Sequence, residues 1–491
     1  MTTTDNHVLL FDCTVDGLGS EELRVTEIDG IEELSTPYRY DVGIECHVDG
    51  GLSAEDVQSL LYGRCGVAYG PHGINKINGV ISEISTSSPN PEGVVGYRFV
   101  VRPRLWRLGL TRRSRIFNEM SIPDVLTAVF TTDYGWVDGT DFELKLDGTY
   151  DTREYVVQFE ETDFEFVSRW MERLGIFYTF EQTDDGDKLV LLDSNAGVLG
   201  VPGLAGPLSY SLQTDGAMTP NAVAEIRQTN RAKEGQVHVR DYNWRSSATV
   251  TATAPVDPDH GYGVYGEWGL HFGDDGAGAT LAQVRAEAIL TRAETYVGIS
   301  AVPDFSVGYH FEVQNCPRGD LDKKYLITRV HHHVTRAGHG AGSSTDYRNE
   351  WAAIAFDTPF RPTTWTPWPR VTALVNAIVD GAGGGTAAPI DSLGRYRVQF
   401  PWDMHPGATG SATRWIRMAQ ATTGNDYGMH FPLHLGCEVV IAHVGGDPDR
   451  PIIVGSVPNS NNPQHVQSDR ATRNVIRTIA GIEIDFENDA P

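Results

Sequence analysis

Between Val8 and about Leu110, apolar and polar residues alternate with a period of two in short runs. Leu23-Arg24-Val25-Thr26-Glu27-Ile28-Asp29-Gly30 alternates and ends in Asp-Gly, and Tyr38-Arg39-Tyr40-Asp41-Val42-Gly43-Ile44 alternates again. Residues 78–84 and 97–103 continue the pattern. Alternation of this kind puts one face of each strand in a core. Short strands separated by regular turns predict a closed or nearly closed barrel.

The period changes near Phe117. Ser121, then Pro123-Asp124, then Val125, Leu126, Val129 and Phe130 predict a capped amphipathic helix. Phe164, Val167, Trp170, Met171 and Leu174 recur at three- and four-residue spacing and predict a second helix over 163–174, stopped by Gly175. This stripe reads as a core face. A hairpin follows, with Ile176-Phe177-Tyr178-Thr179-Phe180 and Leu189-Val190-Leu191-Leu192 joined through Asp184-Asp185-Gly186-Asp187. Strands resume over 224–244, an Ala-rich helix is expected over 279–295, and strands return over 305–313, 325–334 and from Tyr347. Tyr97-Arg98 and Tyr347-Arg348 hint at a duplication, but the match is too short to establish a repeat.

Pro-rich residues 362–369 and Gly-rich residues 381–385 bracket a short apolar segment, 371–379, and mark a domain boundary. Beyond it, strands at 394–400, 414–419, 438–443 and 452–457 suit a five-stranded barrel of the oligonucleotide/oligosaccharide-binding (OB) shape. Residues 479–486 close the pattern. Ile482, Ile484 and Phe486 fall on one side, with Glu483 and Asp485 on the other. Such a strand needs a neighbour.

The formal charge of −26 opposes phosphate backbones and anionic membrane surfaces at long range, so nucleic acid is not an expected partner. Cys13, Cys46, Cys65, Cys316 and Cys437 are scattered and form no C-x-x-C pair, which reads as buried thiols of a chain folded in the cytoplasm. The Met1–His7 segment lacks a basic n-region, and no apolar run approaches the roughly 18 residues of a membrane span. No signal peptide is expected.

Candidate chemistry is sparse. His331-His332-His333, with His339 nearby, invites a metal, but strand alternation lets at most His331 and His333 converge, and a structural or interface role is the expectation. The 381–386 tract does not complete G-x-G-x-x-G and reads as a linker; H-E-x-x-H, P-loop and G-x-S-x-G motifs do not occur. Glu160, Glu161 and Asp163 form the densest local carboxylate group, yet Asp163 and Glu165 stand where acids favour the start of a helix. Asp447-Pro448-Asp449-Arg450-Pro451 reads as a tight turn in which Arg450 can ion-pair. Tyr396, Phe400, Trp402 and Trp415 offer a stacking surface for bases or sugars. No catalytic, cofactor-binding or metal residue is assigned, and no cofactor is expected.

Several separated blocks share an order with a known family. They are residues 153–169 followed by 172–178; Tyr347-Arg348-Asn349 with Phe360-Arg361-Pro362; 391–403; Trp415-Ile416-Arg417-Met418-Ala419-Gln420; Gly436-Cys437-Glu438-Val439-Val440; and 446–455. Together they resemble the VgrG spike proteins of type VI secretion systems and the homologous hub and needle proteins of phage tails and other contractile injection machines. The resemblance implies a mainly β fold with some α. Residues 1–110 would form a first hub barrel, 111–205 a helix-plus-hairpin subdomain, and 206–365 a second hub barrel with an inserted helix. A linker at 366–388, an OB-fold barrel at 389–460 and the start of a trimeric β-helix needle at 461–491 would follow. A repetitive needle longer than this would be expected.

The implied protein is a non-enzymatic homotrimeric spike, assembled in an injection machine and ejected into target cells or the extracellular space. It would sit on a hexameric Hcp-type tube, contact baseplate proteins, carry a PAAR-type tip and effector cargo, and pierce a target membrane. Its needle interface would be Ile482, Ile484 and Phe486. The alternatives are a tail hub with cell-wall hydrolase activity, for which no inserted domain is visible, and an OB-fold protein binding sugars or oligonucleotides.

Overall fold

A computed structural model describes residues 12–15, 23–46, 51–69, 75–91, 93–211, 222–337, 344–382 and 386–488. His339, the Met1–His7 segment and glycines 383–385 lie outside the described residues. The chain divides into two compact units, and the division does not follow sequence order. One comprises Met1–Arg112, Ile122–Tyr150 and Thr162–Pro367; the other comprises Arg113–Ser121, Asp151–Glu161 and Trp368–Pro491.

The first unit is built on a 13-stranded sheet. Its first half runs Asp12–Val15, Arg64–Tyr69, Asn75–Thr86, Val95–Arg102, Thr36–Cys46 and Leu23–Glu33, each strand paired to the next. Leu23–Glu33 then pairs with the long strand Lys324–Ala337. That strand also pairs with Tyr309–Gln314 and Ser344–Ala355. From Ser344–Ala355 the ladder continues through Glu294–Ser300, Ala222–Asn230 and Leu208–Tyr210 back to Tyr309–Gln314, so the second half closes into a ring. Among the described residues the first half is an open ladder, and it joins the ring through Lys324–Ala337.

Inside the ring, Phe305, Phe311, Tyr325 and Trp351 pack together, Phe311 stacked on Tyr325 and edge-to-face with Trp351 at a centroid distance of 5.2 Å. Gly298 lies opposite Trp351, and a Cβ there would come within 2.3 Å of both the indole and the Glu225 carbonyl oxygen. The backbone carbonyl cannot rotate away. Gly298→Ala is expected to cost about 1–3 kcal/mol of overpacking strain, read as a lower urea midpoint at unchanged slope.

The helix expected after Ser121 runs Ile122–Ala128 and continues as a π-turn over Val129–Asp133. The helix Asp163–Leu174 starts where the acids placed it. The Thr162 hydroxyl accepts from the Glu165 N–H at 3.1 Å while the Glu165 carboxylate accepts from the Thr162 N–H at 2.8 Å, a capping box. Gly175, at φ 72°, ends it in the left-handed conformation. Val167, Trp170 and Met171 of the predicted stripe are buried, whereas Phe164 and Leu174 are only half-buried. Phe166 is buried as well, beneath the Arg169 guanidinium.

The Ala-rich helix, Asp275–Ala293, packs on a separate sheet of Gln236–Asn243, Ala248–Pro255 and Val264–Trp268. Ala282 and Ala286 are small enough to let it pack closely with Val237, Val239 and Val250 in one core.

The second unit contains a five-stranded sheet ordered Arg397–Gln399, Val375–Asp380, Glu438–His443, Pro451–Ser456 and Arg417–Met418. Its ends are joined by reciprocal backbone hydrogen bonds between Tyr396 and Ile416 at 2.9 and 2.7 Å, which close a small barrel. Ala377, Val379, Tyr396, Val398, Phe400, Ile416, Val439, Ile441 and Ile453 fill it.

The segment expected to be linker, 366–388, supplies the strand Val375–Asp380, which pairs on both sides. Its flanking Pro and Gly tracts hid a run whose alternating Ala377 and Val379 point into the barrel. Arg112–Met120 and Arg153–Thr162 pair with each other, and their central residues belong to this second unit, not to a helix-plus-hairpin subdomain. Within it the Val157 N–H donates to the buried Asp449 carboxylate at 2.7 Å. Sequence spacing alone contains no trace of that long-range bond.

Candidate functional site

The end of the described chain is a two-stranded ribbon. Glu483–Glu487 pairs antiparallel with Arg473–Arg477, placing Ile484 opposite Ile476 and Phe486 opposite Asn474. The strand read from the sequence thus has a neighbour within its own chain. The charged alternation of Arg473 and Arg477 could have revealed it, because these arginines lie opposite Glu487 and Glu483 respectively.

One face of the ribbon is ionic. Arg473 pairs with Asp485 and, at 3.7 Å, with Glu487; Arg477 pairs with Glu483 at 3.6 Å. The opposite face is apolar and open to solvent. Ile476 is 43% exposed, Ile484 51%, Phe486 61% and Ile482, at the turn, 68%. A two-stranded ribbon is marginally stable in water by itself, and a face with this much apolar surface is stabilised by burial. Burial would contribute about 1.5–3 kcal/mol per side chain before ordering costs.

The histidine run occupies the fused seam of the first unit. Its alternation is as expected: His331 and His333 share the outer face, ring centroids 3.8 Å apart, while His332 is fully buried. Asp29, directly opposite His333, approaches His331 Nε2 at 3.0 Å and His333 Nδ1 at 2.9 Å. Sequence reasoning missed Asp29 because it lies 302 residues from His331. Partial burial and the neighbouring His331 push the His333 imidazole below its ordinary value, against the pull of Asp29.

On the inner face, the His332 Nδ1 lies 2.9 Å from the Tyr347 hydroxyl and its Nε2 lies 3.6 Å from Glu32. Glu32 is a buried carboxylate that accepts from the Tyr40 hydroxyl at 2.5 Å, the Ser306 hydroxyl at 2.6 Å and the Val307 N–H at 3.1 Å. Burial alone would raise its pKa. His332, Ser306 and Tyr40 outweigh that and hold the carboxyl below its ordinary value.

The remaining candidates have structural surroundings. Asp163 is fully buried and accepts from the Tyr134 hydroxyl at 2.7 Å, and Glu165 completes its capping box. The Glu160 N–H donates to the Ser114 hydroxyl at 2.9 Å, and Glu161 is buried. Tyr396 and Phe400 belong to the small barrel's core, so they present no stacking surface. Trp402 stacks on Phe400 at 4.7 Å, and the Arg397 guanidinium covers Trp415 at 4.5 Å. In the Asp447–Pro451 turn the Arg450 N–H donates to the Asp447 carbonyl at 2.9 Å, with their side chains 3.9 Å apart. Cys46 and Cys65 are buried, whereas Cys316 and Cys437 are only half-buried. The Cys13 side chain lies outside the described residues. Among the described residues no helix is long and apolar enough to cross a membrane.

The fold is thus mainly β, with a large sheet whose second half closes into a ring, a small closed five-stranded barrel and a terminal ribbon with an exposed apolar face. Comparison with known proteins agrees. The phage tail baseplate hub (GPD) family model matches residues 31–338, more than half of the chain, and the type VI secretion system/phage-baseplate injector OB domain matches residues 387–457. The type VI secretion system spike protein VgrG1b of Pseudomonas aeruginosa is 30% identical over 90% of this chain and 59% of its own length. VgrG1c of the same organism is 30% identical over 90% of this chain and 61% of its own length. This chain thus spans about three fifths of these relatives.

Among solved structures, the E. coli c3393 protein superposes with a TM-score of 0.67 at 23% identity, covering 91% of this chain and 99% of that one. It is described as a type VI secretion component with structural similarity to the T4 tail proteins gp27 and gp5. The Francisella PdpA-VgrG complex gives a TM-score of 0.65 at 9% identity over 98% of this chain and 83% of that one. The chain belongs to the phage tail baseplate hub family, and its relatives VgrG1b and VgrG1c are VgrG spike proteins.

Proposed function

We propose that this chain is the structural subunit of a homotrimeric spike in a contractile injection machine. Three fused hub sheets would form its wide ring, and three small barrels would narrow to a needle begun by the terminal ribbons. The observation that carries this reading is the uncovered face of Ile476, Ile482, Ile484 and Phe486 on a ribbon whose other face is already ion-paired. Threefold packing would bury that face against its own copies, as a β-helix cross-section does. Such a part acts by assembly, and no catalytic role is assigned to it.

The wide hub would dock on a hexameric Hcp-type tube and on baseplate proteins, the needle would accept a PAAR-type tip, and effector cargo would travel with the ejected assembly through the target membrane. The family membership and the relatives named as spike proteins support this role. Light scattering on the purified chain tests it. A mass of three chains at micromolar concentration is expected, and a monomer at every concentration would overturn the trimeric assignment.

A further inference from the structure

We propose that Asp29, His331 and His333 form a binding site for a divalent transition cation of the zinc class on the outer face of the hub seam. One ligand atom from each of the three residues lies within 4.8 Å of the other two. Two imidazole nitrogens and a carboxylate oxygen are a three-ligand set that zinc accepts, leaving a fourth position for water or a further donor. The backbone supplies the preorganisation. Asp29 and His333 are register partners on antiparallel strands, and His331 is two residues along the same strand, so all three side chains leave the sheet on one face.

Both strands are interior to the sheet, held by Thr36–Cys46 on one side and Ser344–Ala355 on the other. A cation there needs little backbone movement to bind. The surroundings also suit a cation. Asp41, opposite Asp29, is already held by Arg39 at 2.6 and 2.9 Å, and Glu350 lies opposite His331. Arg348 lies opposite His333 in the ladder.

Without metal, the same geometry serves as hydrogen bonds from the imidazoles to Asp29. Binding would replace those ring protons with one ion and clip Leu23–Glu33 to the long strand that also belongs to the closed ring. The half-exposed Asp29 and partly exposed histidines leave the site open to solvent.

The test is Zn2+ titration of the chelator-treated full chain by calorimetry, with Co2+ absorption as a second probe and melting temperature as a third. One ion per chain is expected, with a Zn2+-dependent rise in melting temperature. His331→Gln with His333→Gln should abolish both, and Asp29→Asn should weaken binding at least about tenfold. Asp29→Asn keeps the side-chain shape, so it carries the test should the double variant not fold. The chain's 16 histidines make adventitious binding a defined outcome. Equal stoichiometry and affinity in wild type and Asp29→Asn, or no Zn2+ binding by wild type at micromolar metal, would overturn the proposal.

Discussion

A chain carrying glutamate at both Ile484 and Phe486 is expected to run as a monomer at concentrations where the unaltered chain runs as a trimer. The two positions lie on the same face of the ribbon, 51% and 61% exposed in the single chain, so neither substitution disturbs a core that the chain has already formed. In the proposed trimer each would place an unpaired carboxylate in an apolar contact. Even a discounted cost of about 1–2 kcal/mol per charge, taken over three chains, lowers the association constant by about four orders of magnitude or more. Light scattering reads the mass, and near-ultraviolet circular dichroism confirms that the barrels remain folded. An unchanged mass would remove the ribbon from the interface. Ile484→Leu, which keeps the apolar surface, should keep the trimer.

Glu32→Ala is expected to destabilise the first unit by about 3–5 kcal/mol, because it strands several buried groups at once. The Tyr40 and Ser306 hydroxyls and the Val307 N–H lose their acceptor, and His332 loses its facing carboxylate. Ser306 is 274 residues from Glu32, so the carboxylate ties the strand Leu23–Glu33 to the loop between the ring strands Glu294–Ser300 and Tyr309–Gln314. The pH dependence follows from the sign of the shift. A carboxyl held below its ordinary value contributes stability that is fully present above about pH 4.5, the ordinary glutamate value, and is lost as pH falls through the folded value. Urea unfolding of wild type and Glu32→Gln should therefore differ most at neutral pH and converge in acid. Parallel curves throughout would show that the charge on Glu32 contributes nothing.

Much of the local grammar was legible because side-chain direction depends on short-range geometry. Period-two alternation put His331 and His333 on one face and His332 on the other without reference to any partner. The three- and four-residue spacing from Phe164 to Leu174, with its acids before and Gly175 after, predicted a helix that the structure bounds at Asp163 and Leu174. The strands of the small barrel were readable between their turns, except Val375–Asp380, whose alternation was masked by proline and glycine on either side. On the ribbon, the apolar side of Ile482, Ile484 and Phe486 was readable, while its partner Arg473–Arg477 carried only the weaker signal of two arginines facing acids of matching spacing.

What the sequence by itself determined is which residues face the same way along each strand and helix, and hence the class of fold. The tertiary structure alone decided which strands meet. It made Lys324–Ala337 common to both hub sheets, gathered Arg113–Ser121 and Asp151–Glu161 into the unit of the small barrel, and brought Asp29 to the histidines and Ser306 to Glu32. The reason is physical. Side-chain facing is set by backbone geometry within a few residues, whereas pairing across hundreds of residues is selected by cooperative burial against the entropy of closing long loops.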